Sequence, residues 1–390
     1  MKVYLDHAAT TPCDERVIAA TQPFFGRYYG NASSQHWQGE VARAAVEAAR
    51  GQVADLIGAN AKEIVFTSSG TEANNAALKG VVWGRRDKGN HIITSAIEHH
   101  SVLETAKFLE KEGFEVTYLP VDEYGMVSPK DVEKAITERT VLVSVMHANN
   151  EVGTIQPIEE IGRLTRARKV YFHTDAVQTV GSVPVDVEKF SADLLSLSAH
   201  KLYGPKGVGA LYVRKGVFLQ SLLHGGDQEG GRRAGTENVA GIVGLGEAAR
   251  LALQWLKEGA HLEALRDRLI KGILSGASGI KLNGHPVRRL PGNVNVSVEY
   301  IEGESMVLHL DAAGIAASSG SACSSTDLKP SHVLLAMGLS HELAHGSLRL
   351  SLGKDTSEAE IDRVITVLPG VIGKLRAMSP LAAKKEVVRV

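Results

Sequence analysis

The sequence predicts an α/β protein: a large domain on a mostly parallel, seven-stranded sheet with helices on both faces, and a smaller α+β domain beside it. Three observations lead there. Short β-branched runs alternate with longer segments of helical period between about residues 63 and 213. The rhythm changes after about residue 259, where helical segments flank isolated strand-like runs. The 390 residues also exceed the roughly 150 of an average domain.

The elements follow in chain order. A strand at 63–67 leads into a helix at 70–84, whose opening Ser69-Gly70-Thr71-Glu72 reads as a capping box with Ser69 as N-cap. The strand at 91–95 precedes a helix at 101–113, that at 115–119 a helix at 129–138, and that at 140–146 a helix at 158–167. Strands at 170–175, 193–198 and 207–213 complete the large sheet. Beyond residue 259 come a helix at 262–274, a strand at 293–298, a helix at 304–313, a strand at 347–352 and a helix at 357–376. The expected division is 14–250 for the large domain, and 1–13 with 251–390 for the small one.

Composition excludes several classes. Lys+Arg is 43 and Asp+Glu is 44, a net charge of −1, so neither nucleic acid nor an anionic membrane is an expected partner. Asp6 arrives before a secretory apolar region could form, and no apolar run approaches the roughly 18 residues that span a bilayer. Two distant cysteines, Cys13 and Cys323, cannot make a disulfide framework, and a cytoplasmic location is expected. Forty glycines point to loops that need positive φ or close backbone approach.

Ligands of open α/β sheets bind beyond the carboxyl ends of the strands, and polar residues gather there. Lys201 follows one strand and Asp175 ends its predecessor. A lysine amine forms a Schiff base with a carbonyl, and pyridoxal phosphate needs an acid for its pyridine nitrogen. Alone, each has a plainer reading: a solvated lysine and a helix N-cap. The 69–72 opening can hold a phosphate on free amides as well as cap its helix. His99 is an aromatic ring that titrates near neutrality and suits a cofactor face. Adjacent His99 and His100 lack the spacing of zinc ligands, and two cysteines are too few for a structural zinc site. Cys323 lies on a Ser/Gly stretch that reads as an exposed loop, which favours a reactive thiol, whereas Cys13 beside Pro12 reads as structural. Arg349 alternates in Ser347-Leu-Arg-Leu-Ser351 as on a half-buried strand, and its guanidinium can clamp a carboxylate or make a structural ion pair.

Together, Tyr4-Leu-Asp-His-Ala-Ala-Thr-Thr-Pro12, Ser196-Leu-Ser-Ala-His-Lys201, Arg233-Ala-Gly-Thr-Glu-Asn238 and Ser318-Ser-Gly-Ser-Ala-Cys323 resemble the cysteine desulfurases of the NifS/IscS type, over nearly the whole chain. The resemblance implies a fold-type I pyridoxal phosphate enzyme, a homodimer, that converts L-cysteine to L-alanine and passes sulfur to an iron–sulfur scaffold or another acceptor protein. It implies Lys201 as the Schiff-base lysine, His99 stacking on the ring and moving protons, and Asp175 on the pyridine nitrogen. Gln178 and Asn149 would address the phenolic oxygen and the substrate. Gly70, Thr71, Ser198 and His200 would hold the phosphate, with Thr236 reaching that of the partner subunit. Asn31 and Arg349 would bind the substrate carboxylate. Cys323 would be the nucleophile and persulfide carrier, and a transient iron–sulfur ligand. The alternatives are a selenocysteine lyase or another lyase or aminotransferase of this fold, and a sulfur-relay scaffold. A loop nucleophile argues against a transaminase, and a Schiff-base lysine against a pure scaffold.

Overall fold

The computed structural model describes residues 1–256, 260–319 and 329–380. Its strands are β1 Val3–Tyr4, β2 Ile64–Thr67, β3 His91–Ser95, β4 Glu115–Leu119, β5 Thr140–Ser144, β6 Tyr171–Asp175, β7 Leu194–Ser198, β8 Gly209–Val213, β9 Ile280–Leu282, β10 Asn293–Val298, β11 Ile315–Ala316 and β12 Ser347–Ser351.

Seven of these form the central sheet in the order β2-β8-β7-β6-β5-β3-β4. From β7 to β4 all neighbours are parallel. Strand β8 runs against β7, and β2 runs against β8. The two reversals cancel, so β2 points the same way as β7. Six carboxyl ends therefore share one edge of the sheet, and the site is built on that edge.

Helices cover both faces, so the inner strands are buried throughout and read as continuous apolar runs. Successive side chains point to opposite faces. Phe66, Leu195 and Tyr212 pack with the helices Trp37–Ile57, Ile158–Ala167 and Val239–Trp255. Val65, Leu194 and Leu211 pack with Gly70–Gly84 and His100–Lys111. The edge strand β4 stays exposed at Glu115.

The helices Trp37–Ile57 and Val239–Trp255 are not among those that the sequence periodicity marks. They meet through small residues: a Cβ added to Gly246 would lie 2.6 Å from the Ala49 Cα. Such a face carries little apolar contrast. The second of these helices runs unbroken across residue 250, and Leu251 and Ala252 still pack in the large core.

A separate core gathers around an antiparallel sheet of order β12-β10-β9. The helices Ala260–Gly276, Gly303–Ala312 and Glu358–Met378 cover it. Strand β1 joins this unit by pairing in parallel with β11. Among the described residues, no helix is long and apolar enough to cross a membrane.

The capping box is half as expected. The Ser69 hydroxyl accepts from the Glu72 amide at 3.1 Å, but the Glu72 carboxylate accepts from the Ser68 amide at 2.8 Å. Arg233 pulls Glu72 aside with an ion pair of 2.9 Å.

One close contact fixes how the helix Ile158–Ala167 sits on the sheet. A Cβ at Gly162 would strike the Phe190 carbonyl oxygen and lie 3.2 Å from the Phe172 ring. Gly162→Ala is expected to cost about 1–3 kcal/mol by overpacking, seen as a lowered calorimetric unfolding midpoint. An unchanged midpoint would contradict that close approach.

Candidate active site

At the carboxyl edge of the sheet lies a cavity of about 300 Å³. Its wall includes Gly70, Thr71, His99, Asp175, Gln178, Ser198, His200, Lys201 and Arg349, so nine sequence-derived candidates meet there.

Each is delivered by its element. Asp175 ends β6, in register with Ser196 of β7. Lys201 ends the single turn Ala199–Lys201 that follows β7. The left-handed backbone of Tyr203, φ 62°, turns the chain just beyond it. Gly70 opens the helix after β2, and a Cβ there would lie 2.7 Å from Val177 Cγ2 and 3.4 Å from Ser198 Cβ. The first amides of that helix have no intrahelical acceptors.

The Lys201 ammonium donates to the carbonyls of Ala8 and Ala9 at 2.5 and 2.7 Å, and Gln178 Nε2 donates to Ala8 at 3.1 Å. Asp175 accepts from Asn74 Nδ2 at 2.7 Å and from the Val177 amide at 3.0 Å. Arg349 is buried on β12, all of whose residues are buried rather than half-buried as its alternation implies. It pairs with Asp6 at 2.9 Å and donates to the Asn150 carbonyl at 3.1 Å, while its Nε has no partner among the described residues.

Burial sets the protonation of the surrounding groups. It lowers His99, against the pull of Asp175. It pushes His200 down to about 4, helped by Lys201 and Lys206. Glu98, the residue before His99, is fully buried and is pushed up to about 8. Its Oε1 accepts from Ser95 and from the Met146 amide, which opposes part of that rise.

Three candidates lie elsewhere. Asn149 is buried off the cavity: its Nδ2 donates to the Ile97 carbonyl and its Oδ1 accepts from the amides of Glu151 and Val152. The neighbouring Asn150 lines the cavity instead. Asn31 and Thr236 are exposed, and residues adjacent to both, Ala32 and Glu237, line one separate surface groove. Cys323 lies outside the described residues. Cys13 packs against the large core, and burial raises its thiol pKa.

Sequence reasoning missed Asn74, Ser101 and Asp6. Asn74 stands four residues after Gly70 on one helix, the spacing that shares a face. Ser101 stands two after His99. Asp6 lies within the N-terminal motif but had no role.

The residues suit pyridoxal phosphate. Lys201 supplies an amine, Asp175 a carboxylate beside it, His99 a ring, and Gly70 a place where any side chain would crowd the wall. The helix Gly70–Gly84 points its amide end into the cavity, as a phosphate requires. Fold and site together define a fold-type I pyridoxal phosphate enzyme.

The chain belongs to the aminotransferase class-V family, which it matches over residues 3–364. It is 56% identical over 384 residues to the cysteine desulfurase IscS of Methanosarcina thermophila, covering 98% of this chain and 95% of that one. It is 54% identical to the cysteine desulfurase IscS of Dictyoglomus turgidum, covering 97% and 96%. A solved NifS-like protein superposes with a TM-score of 0.91 at 42% identity, over 96% of this chain and all of that one. SspA solved in complex with cysteine superposes at 0.80 and 39%, over 90% and 99%.

Glu98 makes a pH prediction. A glutamate that titrates near 4.3 when unfolded and at about 8 when folded binds more protons in the folded state between those values. Its contribution therefore erodes stability as pH rises through that window. Glu98→Gln should flatten the decline, measured by denaturant unfolding at about pH 5 and about pH 8. An equal decline in both proteins would refute the neutral carboxyl.

Proposed function

We propose that this protein is a cysteine desulfurase that converts L-cysteine to L-alanine and carries the sulfur as a persulfide on Cys323. The observation that carries it is the meeting of Lys201, Asp175, His99 and Arg349 in one cavity of a class-V aminotransferase fold. The relatives named cysteine desulfurase, similar over nearly the whole chain, support the same reading.

Pyridoxal phosphate, when bound, supplies a carbonyl for an amine and an electron sink for bonds broken at the substrate α-carbon. Lys201 would hold the cofactor through its amine and would serve as the base for the substrate α-proton. Asp175 would pair with the pyridine nitrogen and favour its protonated form. Arg349 would hold the substrate carboxylate on the N–H groups that Asp6 and Asn150 leave unused. Gly70, Thr71, Ser198 and His200 cradle the phosphate, and Gln178 addresses the phenolic oxygen. The Cys323 thiolate would attack the substrate sulfur: an S–S bond forms as the C–S bond breaks, the bonding pair stays with the β-carbon, and protonation of that carbon releases the skeleton as L-alanine. The flanking described residues favour this. Ser318 exchanges backbone hydrogen bonds of 3.1 and 2.7 Å with Arg349, and Ser331 donates to the buried Glu151 at 2.5 Å.

The working form is a homodimer in the cytoplasm, and the sulfur acceptor is a protein of iron–sulfur cluster assembly. Phe25, Tyr29 and Trp37 are 77%, 72% and 65% exposed, a cost that a subunit interface removes. Thr236, absent from its own cavity, is then available to the partner's phosphate, with Asn31 in the same region.

The test is a visible spectrum of the purified protein before and after L-cysteine, with alanine and sulfide assayed together. A shifted cofactor band with both products supports the reading; a band without alanine overturns it. Cys323→Ala should keep the band and its shift while alanine and sulfide fall to background. Lys201→Ala should lose the borohydride-reducible link to the cofactor. Thr236→Ala should weaken cofactor retention on dialysis in a protein that still sediments as a dimer, and unchanged retention would remove Thr236 from the phosphate site.

A further inference from the structure

Two side chains, Asn74 and Ser101, connect the Asp175 carboxylate to the His99 ring. Asn74 Nδ2 lies 2.7 Å from Asp175 Oδ2 and 2.8 Å from Ser101 Oγ. Ser101 Oγ lies 2.8 Å from His99 Nδ1, and the Ser101 amide donates to the same nitrogen at 3.1 Å.

The direction of each bond is forced. A carboxylate only accepts, so the Asn74 atom facing Asp175 is its NH₂ group. That group only donates, so Ser101 Oγ accepts from it. A backbone amide only donates, so His99 Nδ1 carries no proton. The one hydroxyl proton of Ser101 then goes to the same lone pair. In a neutral imidazole the remaining proton sits on the other nitrogen. Burial, which lowers the pKa of His99, favours that neutral form. Among the described residues His99 Nε2 has no hydrogen-bond partner, and the ring lines the cavity.

We infer that Asn74 and Ser101 are positioning residues that hold His99 as the Nε2–H tautomer, so that it meets the bound cofactor and substrate as a hydrogen-bond donor and not as a proton acceptor. Held so, His99 can give a proton from Nε2 but has no free lone pair with which to take one, because Nε2 is already protonated and Nδ1 is engaged by two donors. Lys201 is left as the base of the cavity. The tautomer rests on these contacts alone. Its consequence for the reaction rests on the desulfurase reading.

The experiment is nitrogen-15 NMR of the histidine-labelled holoenzyme near neutral pH, with the His99 signals identified by their loss in His99→Gln. Nδ1 should resonate as an unprotonated nitrogen and Nε2 as a protonated one. A proton on Nδ1, or a doubly protonated ring, overturns the inference. Ser101→Ala should raise the Nδ1–H population several-fold and lower kcat for alanine formation about tenfold, with KM for L-cysteine moving less than about twofold. Ser101→Thr, which keeps the hydroxyl, should restore both. A tautomer ratio unchanged in both Ser101→Ala and Asn74→Ala refutes the relay. Since the spectrum needs no turnover, absence of alanine from the parent enzyme would strike the desulfurase reading and leave the tautomer standing.

Discussion

A buried carboxylate is tolerated only when hydrogen bonds replace its water, and Asp175 is where this protein meets that demand. The β6–β7 register sets Asp175 opposite Ser196, five residues before Lys201. The Val177 amide satisfies one oxygen and Asn74 the other. Asn74 comes from the helix whose opening residues line the same cavity. Fixing one charge therefore fixes the distance between that helix and β6. Through Ser101 it also fixes the ring of His99. Moving Asp175 would shift that helix and the His99 ring with it.

The N-terminal segment is the second constraint. It belongs to the smaller unit by pairing, β1 with β11, yet its next residues reach the large sheet. The carbonyls of Ala8 and Ala9 accept from the Lys201 ammonium, and the Thr11 amide donates to the His200 carbonyl. Asp6 meanwhile pairs with Arg349 of β12. One short segment thus ties the lysine beside the large sheet to the arginine of the smaller one. Separating the two units would break the Lys201 bonds to Ala8 and Ala9 and the bond from buried Arg349 to the Asn150 carbonyl.

Much of this was legible in the sequence because period and chemistry coincide. Strands 91–95, 115–119 and 293–298, and helices 70–84 and 158–167, have the bounds that their patterns imply. Lys201 and Asp175 were readable from strand ends alone. What escaped depends on contacts between distant residues. The faces of Trp37–Ile57 and Val239–Trp255 are built of alanine and glycine, whose close approach leaves weak periodicity. Asn149 and Asn150 are adjacent, and one residue of backbone rotation decides which of them meets the cavity. Arg349 sits on a strand buried on both faces, so its alternation does not report exposure. Asn31 and Thr236 are exposed and lie outside the cavity.

The charge arrangement also bears on which substrates the cavity accepts. Burial keeps Glu98 neutral below about 8, so Asp175 is not joined by a second anion behind the ring. Arg349 is not a bare cation, since Asp6 already occupies one of its nitrogens. On the desulfurase reading, a substrate carboxylate meets the guanidinium N–H groups that Asp6 and Asn150 leave unused, and gains less than it would from an isolated guanidinium because Asp6 already offsets the charge. A simple carboxylic acid has only that contact to draw on. An amino acid adds an amine that can take the place of Lys201, whose own hydrogen bonds to Ala8 and Ala9 lie at the same mouth. On that reading both cations are already paired, Arg349 with Asp6 and Lys201 with the Ala8 and Ala9 carbonyls, so a ligand that carries a carboxylate and an amine together gains more than one that carries either alone.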